Sequence, residues 1–363
     1  MVTNRAGGCS GDVSVNPPAD SFEPQESNKR RLPRLTLDFQ QPDNQPTVLD
    51  IDGQVDALAR KRYPDARSEQ TKMFLETVGF EHMKHYLPTT GHKTVRRAHE
   101  LLLFDIEYQS MLLKYVGFFE IAFRARYAQA MADLRGAFAH RDPRNFLDKE
   151  HFSKFLSSYS IELSRSISHK GPELDSYRRY GDLPIWQAVE IMPLGMLSKL
   201  YRNTKSKAVK RRVAESFGTD FSTLSSWLRS ISMVRNRCAH FGKLAGRSLA
   251  SQPVKIEGVS ISTSCHFYIV LLLIMLLHEQ KSFVDDPTLN HDYLLIRDVS
   301  ELIIERQHVL ADAGIPFNWQ TLIKTVCVKS GITISFNEGS PDIARRHTYM
   351  CVHGPDGSTV IVD

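Results

Sequence analysis

Residues 93–134 read "KTVRRAHELLLFDIEYQSMLLKYVGFFEIAFRARYAQAMADL", roughly forty residues without a proline. Leucines and aromatics recur in it at spacings of three and four, the period of a helix with one apolar face. The stretch predicts one long helix, or two that meet at a kink near Gly117.

The flanking sequence continues in the same period. Upstream, "ARSEQTKMFLETVGFEHMKHYL" (66–87) is amphipathic, with Ser68 as its N-cap and an end at Pro88 and Gly91. Downstream, helices are expected in "KEHFSKFLSSYSIELSRSISH" (149–169), "IWQAVEIMPLGMLSKLYRN" (185–203), "SKAVKRRVAESFG" (206–218) and "DFSTLSSWLRSISMVRNRCAHFG" (220–242). In the last of these Asp220 or Ser222 can cap the start and Gly242 can stop the end. Two more helices are expected at about 263–283 and 290–311. The final segments "KTVCVKSG", "ITISFNEG", "TYMCVHGPDG" and "STVIVD" place β-branched residues between glycine turns and read as a small β-hairpin or meander. The fold class is therefore mainly α, a helical bundle with a small β end. Three parts follow: a flexible tail over 1–66, a helical domain over 67–315 and a β-rich extension over 316–363.

Composition narrows the function classes. The 363 residues carry 46 Lys and Arg against 41 Asp and Glu, a net +5 that says little as a whole. Residues 1 to about 50 are rich in Pro, Asn, Gln, Ser and Asp around a basic knot, "NKRRLPR", and hold too little apolar periodicity to order themselves. The five cysteines form no C-x-x-C pair, so neither a zinc ribbon nor a secreted disulfide framework is indicated, and a reducing cytoplasm is the simple expectation. The start lacks the apolar core of a signal peptide. The most apolar run, "FYIVLLLIMLL" (267–277), is eleven residues, short of the roughly 20 that span a bilayer, and reads as a buried core helix. No metal set or cofactor motif stands out. His82, His85, His92 and His99 lie near each other with no carboxylate or cysteine to complete a site.

The chemistry concentrates in "SMVRNRCAHFG" (232–242). On a helix Asn236 and His240 share a face, while Arg235 sits about 100° around from Asn236. The three converge on one phosphate only if the helix end is irregular or a second copy of the helix lies across a two-fold axis. In the last turn the helix dipole favours imidazolium at His240. A protonatable His beside the fixed cation of Arg235 suits a phosphodiester, because one can donate a proton to a leaving oxygen while the other holds negative charge. Asn236 can hold the imidazole rotamer. The same spacing in Arg135–His140 shows that spacing alone decides nothing, and an Arg–His pair on a basic helix also reads as an ordinary surface face. Lys205, Lys207, Lys210, Arg211, Arg212 and Lys243 surround the motif and read either as a polyanion surface or as solvated helix faces. Glu120 and Arg124, four apart on an otherwise apolar helix, are either a structural pair or support for the site. Cys238 is a packing residue that points away from the Asn236 and His240 face. Trp186, Trp227 and Trp319 are core or interface anchors.

At "VRNRCAHFGKLAGR" (234–247) the sequence resembles the Abi-like, abortive-infection family of the HEPN superfamily, whose hallmark is R-N-x-x-x-H, through Arg235, Asn236, Cys238, Ala239 and His240. Three further landmarks resemble the family in order: "FFEIAFRARYAQAM" with Glu120 and Arg124, "LPIWQAVEIMPLGMLSKLYRN" with Trp186, Glu190, Gly195 and Tyr201, and "FSTLSSWLRSISMVRN" with Trp227. After the histidine only Arg247 keeps the family pattern. The resemblance covers about 75–280. It implies a helical HEPN core that dimerises, RNA as substrate, and metal-independent endoribonuclease activity with Arg235 and His240 catalytic and Asn236 beside them. Glu120, Arg124, Arg237 and Arg247 are then the supporting set. It further implies a role in phage defence or as the toxin of a toxin–antitoxin pair, with an RNA or protein antitoxin as partner. The alternative is a HEPN module that binds RNA or protein without cleaving it.

Overall fold

The computed structural model describes residues 49–91, 93–169, 174–280, 290–336, 350–353 and 359–362. The basic knot of the N-terminal segment and His92 lie outside the described residues.

One long helix, α4 (Val95–Arg135), organises the helical domain. Thr94 caps it, its hydroxyl accepting the Arg97 amide at 3.1 Å, and Gly136 ends it at φ 95°. It passes Gly117 without interruption, so of the two sequence readings the single helix is the one adopted. At 1.5 Å per residue its 41 residues span roughly 60 Å. Its buried side chains run from Val95 to Met131 and accept helices along the whole length.

Before it come α1 (Ile51–Arg60), α2 (Glu69–Val78) and the short α3 (Phe80–Met83). The flexible tail expected to reach residue 66 therefore contains a helix. Asp50 caps α1 through the Gly53 amide, and Val55 and Leu58 are buried. After α4 follow α5 (Lys149–Ser168), α6 (Leu174–Tyr180), α7 (Ile185–Ile191), α8 (Leu194–Asn203), α9 (Lys207–Glu215) and α10 (Phe221–Ala239). α7, α9 and α10 pack on α4, α8 packs on α10, and α5 packs on α8. The rings of Phe123, Tyr127, Tyr201, Phe217 and Phe221 interlock where these helices meet, with Tyr201 edge-on to Phe123 at 5.4 Å and to Phe221 at 5.3 Å.

The second half adds α11 (Tyr268–His278), α12 (His291–Glu305), α13 (Leu310–Ala313) and α14 (Trp319–Lys329). α11 is the apolar run, and it is buried from Tyr268 through Ile274 as a core helix. Among the described residues no helix is long and apolar enough to cross a membrane.

The chain ends in a three-stranded antiparallel meander, β1 (Thr333–Phe336), β2 (Met350–His353) and β3 (Thr359–Val362), with Thr333 opposite His353 and Met350 opposite Val362. "KTVCVKSG", expected in that sheet, is instead the last turns of α14. Leu322, Ile323, Val326 and Cys327 are buried at helical spacing, and this periodicity outweighs the β preference of the valines.

Candidate active site

The helix that carries the motif, α10, is fixed at its start by Asp220, whose carboxylate accepts the amides of Ser222 at 2.8 Å and Thr223 at 3.1 Å. Its inner face buries Leu224, Trp227, Leu228, Ile231, Val234 and Cys238. The Trp227 indole donates to the Val254 carbonyl at 2.9 Å. Burial pushes the Cys238 thiol up to about 12, so this cysteine is an inert packing residue, not a nucleophile.

The helix does not stop at Gly242 as the sequence suggests. His240 is the C-cap, and Phe241 takes the left-handed conformation at φ 51°. The Phe241 amide donates to the Cys238 carbonyl at 3.0 Å and the Gly242 amide to the Arg237 carbonyl at 2.9 Å, the two bonds of a Schellman cap. One place later, a Cβ at Gly242 would meet the Arg237 Cγ at 3.2 Å, a tight contact that the arginine side chain would have to yield to. A phenylalanine thus occupies the position that usually takes glycine, immediately after the motif histidine.

Arg235 turns inward. Its Nε lies 3.6 Å from a carboxylate oxygen of Glu120, and its side chain is 36 % exposed. The other Glu120 oxygen accepts from the Arg124 guanidinium, which also donates to the carbonyls of Val189 and, at 2.7 Å, Glu190 at the end of α7. Glu120 and Arg124 are 10 % and 12 % exposed. One buried carboxylate therefore lies between two guanidiniums and ties α4, α7 and α10 together. The structural reading of this pair is the contact seen, and the same carboxylate also faces Arg235.

His240 faces solvent. Its amide donates to the Asn236 and Arg237 carbonyls at 3.2 and 3.3 Å, and its imidazole has no hydrogen-bond partner among the described residues. The expectation that Asn236 holds the imidazole is not met. The Asn236 amide instead lies over α8, 3.9 Å from where a side chain at Gly195 would begin.

The loop after α10 is anchored by a residue the motif does not name. Asp105, fully buried on α4, accepts the amides of Leu244 and Ala245, each at 2.9 Å, and the hydroxyl of Tyr86 at 2.9 Å. A lone acid at a helical interval of four from Leu101 and three from Tyr108, both apolar-face positions, is the signal that could have found it. Arg237 braces the same loop by donating to the Lys243 carbonyl at 3.3 Å.

The basic residues around the motif divide. Lys205, Lys207 and Arg247 are exposed. Arg212 is paired with Asp133 at 2.7 Å, and Arg211 faces Glu215 at 3.7 Å. Lys210 is buried, its ammonium 4.0 Å from the centre of the Phe221 ring, and desolvation lowers its pKa. Lys243 is spent on the loop: its ammonium donates to the His85 carbonyl at 3.0 Å above the Tyr86 ring. The sequence shows charge in these positions but not that folding consumes some of it, so Lys210 and Lys243 leave the polyanion-surface set.

The second Arg–His spacing is differently built. Arg135 donates to the Ser206 hydroxyl at 3.1 Å, and His140 is fully buried edge-on to Tyr159 at 5.3 Å. Neither His140 ring nitrogen has a partner among the described residues, and burial lowers its pKa to about 4. Trp227 and Trp319 are buried, whereas Trp186 is half exposed. Among the described residues no three His, Cys, Asp or Glu side chains are placed to hold a metal ion.

No curated protein and no solved structure matches the chain. A family model described as Abi-like protein matches residues 69–245, which run from α2 to the loop anchored by Asp105 and include Glu120, Arg124, Arg235, Asn236 and His240 but not Arg247. Over those residues the chain is similar to the Abi-like family, which suggests abortive-infection phage defence.

Proposed function

We propose that this chain is a metal-independent endoribonuclease of the HEPN type, acting in phage defence or as the toxin of a toxin–antitoxin pair in the cytoplasm. The observation that carries the reading is the unequal treatment of the two motif residues. Arg235 is held on a buried carboxylate, while His240, at the end of the same helix, is free and exposed. A fixed cation and a mobile proton donor are the two parts that transesterification at an RNA phosphate needs, because the 2′-hydroxyl supplies the nucleophile. Arg235 stabilises charge on the phosphoryl oxygens, and His240 moves the proton to or from the ribose oxygens. The products are a cyclic phosphate and a 5′-hydroxyl.

The two side chains leave α10 about 140° apart, since five residues separate them at 100° each. A second copy of α10 across a two-fold axis supplies the complementary pair, so the active form is read as a homodimer. Purified protein is expected to cleave RNA in excess EDTA, and Arg235→Ala and His240→Ala each to abolish cleavage. Strict metal dependence, or full activity in both variants, refutes the mechanism. RNA binding without cleavage under any condition, unchanged in His240→Ala, favours the non-catalytic binding module.

A further inference from the structure

A groove of about 690 Å³ runs beside the candidate site between α5 and α8, and Asn236 forms part of its wall. We propose that it is a nucleotide subsite for single-stranded RNA, seating one base on an apolar floor while the flanking phosphates face Lys199 and Arg202. The inference rests on the ribonuclease reading and assigns the part of the substrate next to the cleaved bond.

The floor is made by Phe155, Pro193, Met196 and Leu200, which suits the face of a base. Lys199 and Arg202 project from the exposed side of α8, and neither has an ion-pair partner among the described residues. Lys154 on the opposite rim is already engaged by Glu150. The groove's one carboxylate among the described residues, Asp148, is also committed: it caps α5 through the His151 amide at 2.9 Å and lies 3.0 Å from the His151 ring. Asn203 is consumed in a clamp on the Asp148 backbone, at 2.8 and 2.9 Å. The Asn236 side chain has no hydrogen-bond partner among the described residues and remains free for a base edge or a ribose hydroxyl. The surplus is thus two unpaired cations, one unpaired amide and an apolar floor, which is the complement of a nucleotide.

A cavity of about 700 Å³ between α2 and the start of α4 is equally large but differently furnished. Its carboxylate, Asp65, is spent on the amides of Val95 and Arg96 at 2.8 and 2.9 Å. It does not adjoin the motif helix. The α5–α8 groove does, through the residue next to Arg235.

The test uses the full chain and a fluorescent hexauridylate methylated at every 2′-hydroxyl, which can bind but has no nucleophile. Wild type and His240→Ala are expected to bind it equally. Lys199→Glu/Arg202→Glu is expected to weaken binding at least tenfold. It should also lower the slope of log affinity against log salt by about 1.4, the value for two single-strand phosphates. Met196→Glu should weaken binding without the same loss of slope, because it acts on the floor. Lys199 and Arg202 are exposed, so the double variant should melt near wild type, whereas Met196 is partly buried against the core and its variant is compared at a temperature where it is folded. Wild-type affinity and slope in the double variant overturn the subsite, as does a wild type that cleaves RNA but does not bind the probe. Loss of the ribonuclease reading looks different: cleavage is then absent, or indifferent to His240→Ala, while probe binding and its dependence on Lys199 and Arg202 persist.

Discussion

Glu120 is the residue whose removal separates positioning from folding. It sits between Arg124 and Arg235 at 10 % exposure, with 3.6 Å to the Arg235 Nε. Across 3.6 Å two unit charges attract by about 1 kcal/mol in bulk water and by about 5 kcal/mol at the effective dielectric near 20 of a half-buried site. Arg235 is 36 % exposed, so its share lies toward the lower figure. Arg124 is the more deeply placed partner, and breaking a buried pair by deleting one member costs about 3–5 kcal/mol. Arg124 keeps the carbonyls of Val189 and Glu190, which puts Glu120→Ala near the lower end, about 3 kcal/mol. At about 2–4 °C per kcal/mol the melting temperature should fall by about 6–12 °C. Glu120→Gln keeps the shape and an acceptor for Arg124 and should cost only about 1–2 kcal/mol. Activity should not follow that ranking. Both variants remove the charge that holds Arg235, and misplacement of a catalytic group by about an ångström lowers rate by on the order of 100-fold. The prediction is therefore a large fall in kcat in both variants with little change in KM, beside a melting-temperature difference between them. If Glu120→Gln cleaves RNA at the wild-type rate while Arg235→Ala is inactive, Glu120 does not position Arg235 and the reasoning fails.

Three further outcomes follow from the same structure. Phe241→Gly should raise stability by about 1 kcal/mol, because the left-handed conformation at φ 51° costs a phenylalanine what it does not cost glycine; a lower melting temperature would show that the exposed ring contributes more than the strain removes. His140 is neutral in the fold with its pKa lowered to about 4, so the unfolded chain binds the extra proton first. Its stabilisation is complete above about pH 6.5 and falls on acidification toward pH 4, by on the order of 1 kcal/mol per pH unit. His266, also lowered by burial, slopes the same way and His278, raised beside Asp292, slopes oppositely. The readout is therefore the difference from His140→Leu, whose melting temperature should lose less between pH 6.5 and 4.5 than that of wild type. Lys210→Met should leave RNA affinity within about twofold and cost at most about 1 kcal/mol, the scale of its contact with the Phe221 ring, whereas an affinity loss as large as that of Lys205→Ala would return it to the RNA surface.

How much could be read in advance follows from what each feature depends on. α4 was legible because its signal is repeated over 41 residues, and a long run averages out local exceptions such as Gly117. The motif helix was legible to its last turn but not in its cap. Which residue turns left-handed is decided by the bonds from Phe241 to Cys238 and from Gly242 to Arg237, and a glycine one place away points to the wrong position. The segment 324–329 was misread because a few β-branched residues carry both signals, and only its packing as α14 decides between them. α1 was hidden by its shortness and by the polar sequence before it. In the site, Arg235, His240, Glu120 and Arg124 were legible as types in order. The departure of Lys210 and Lys243 from the charged surface was not, since it depends on the long-range neighbours Phe221 and His85.

The division between those two groups bears on the chemistry. Residues that look alike in sequence, a cluster of cations around a histidine, are used by the fold in three ways: buried against aromatic rings, paired with acids, or left open. Only the last kind can meet a phosphate without first breaking a contact. Lys199 and Arg202, which the motif does not mention, belong to it, as do Lys205, Lys207 and Arg247. Arg235 stands apart from all three groups. It is partly buried, yet the carboxylate it faces is already neutralised by Arg124, so Glu120 orients it without cancelling its charge. Two arginines share one glutamate, so the three side chains together carry a net positive charge, which the proposed ribonuclease reading sets beside the scissile phosphate. On that reading a single Arg235–Glu120 pair would be electrostatically closed to an anion, and the second guanidinium is what would leave the site open.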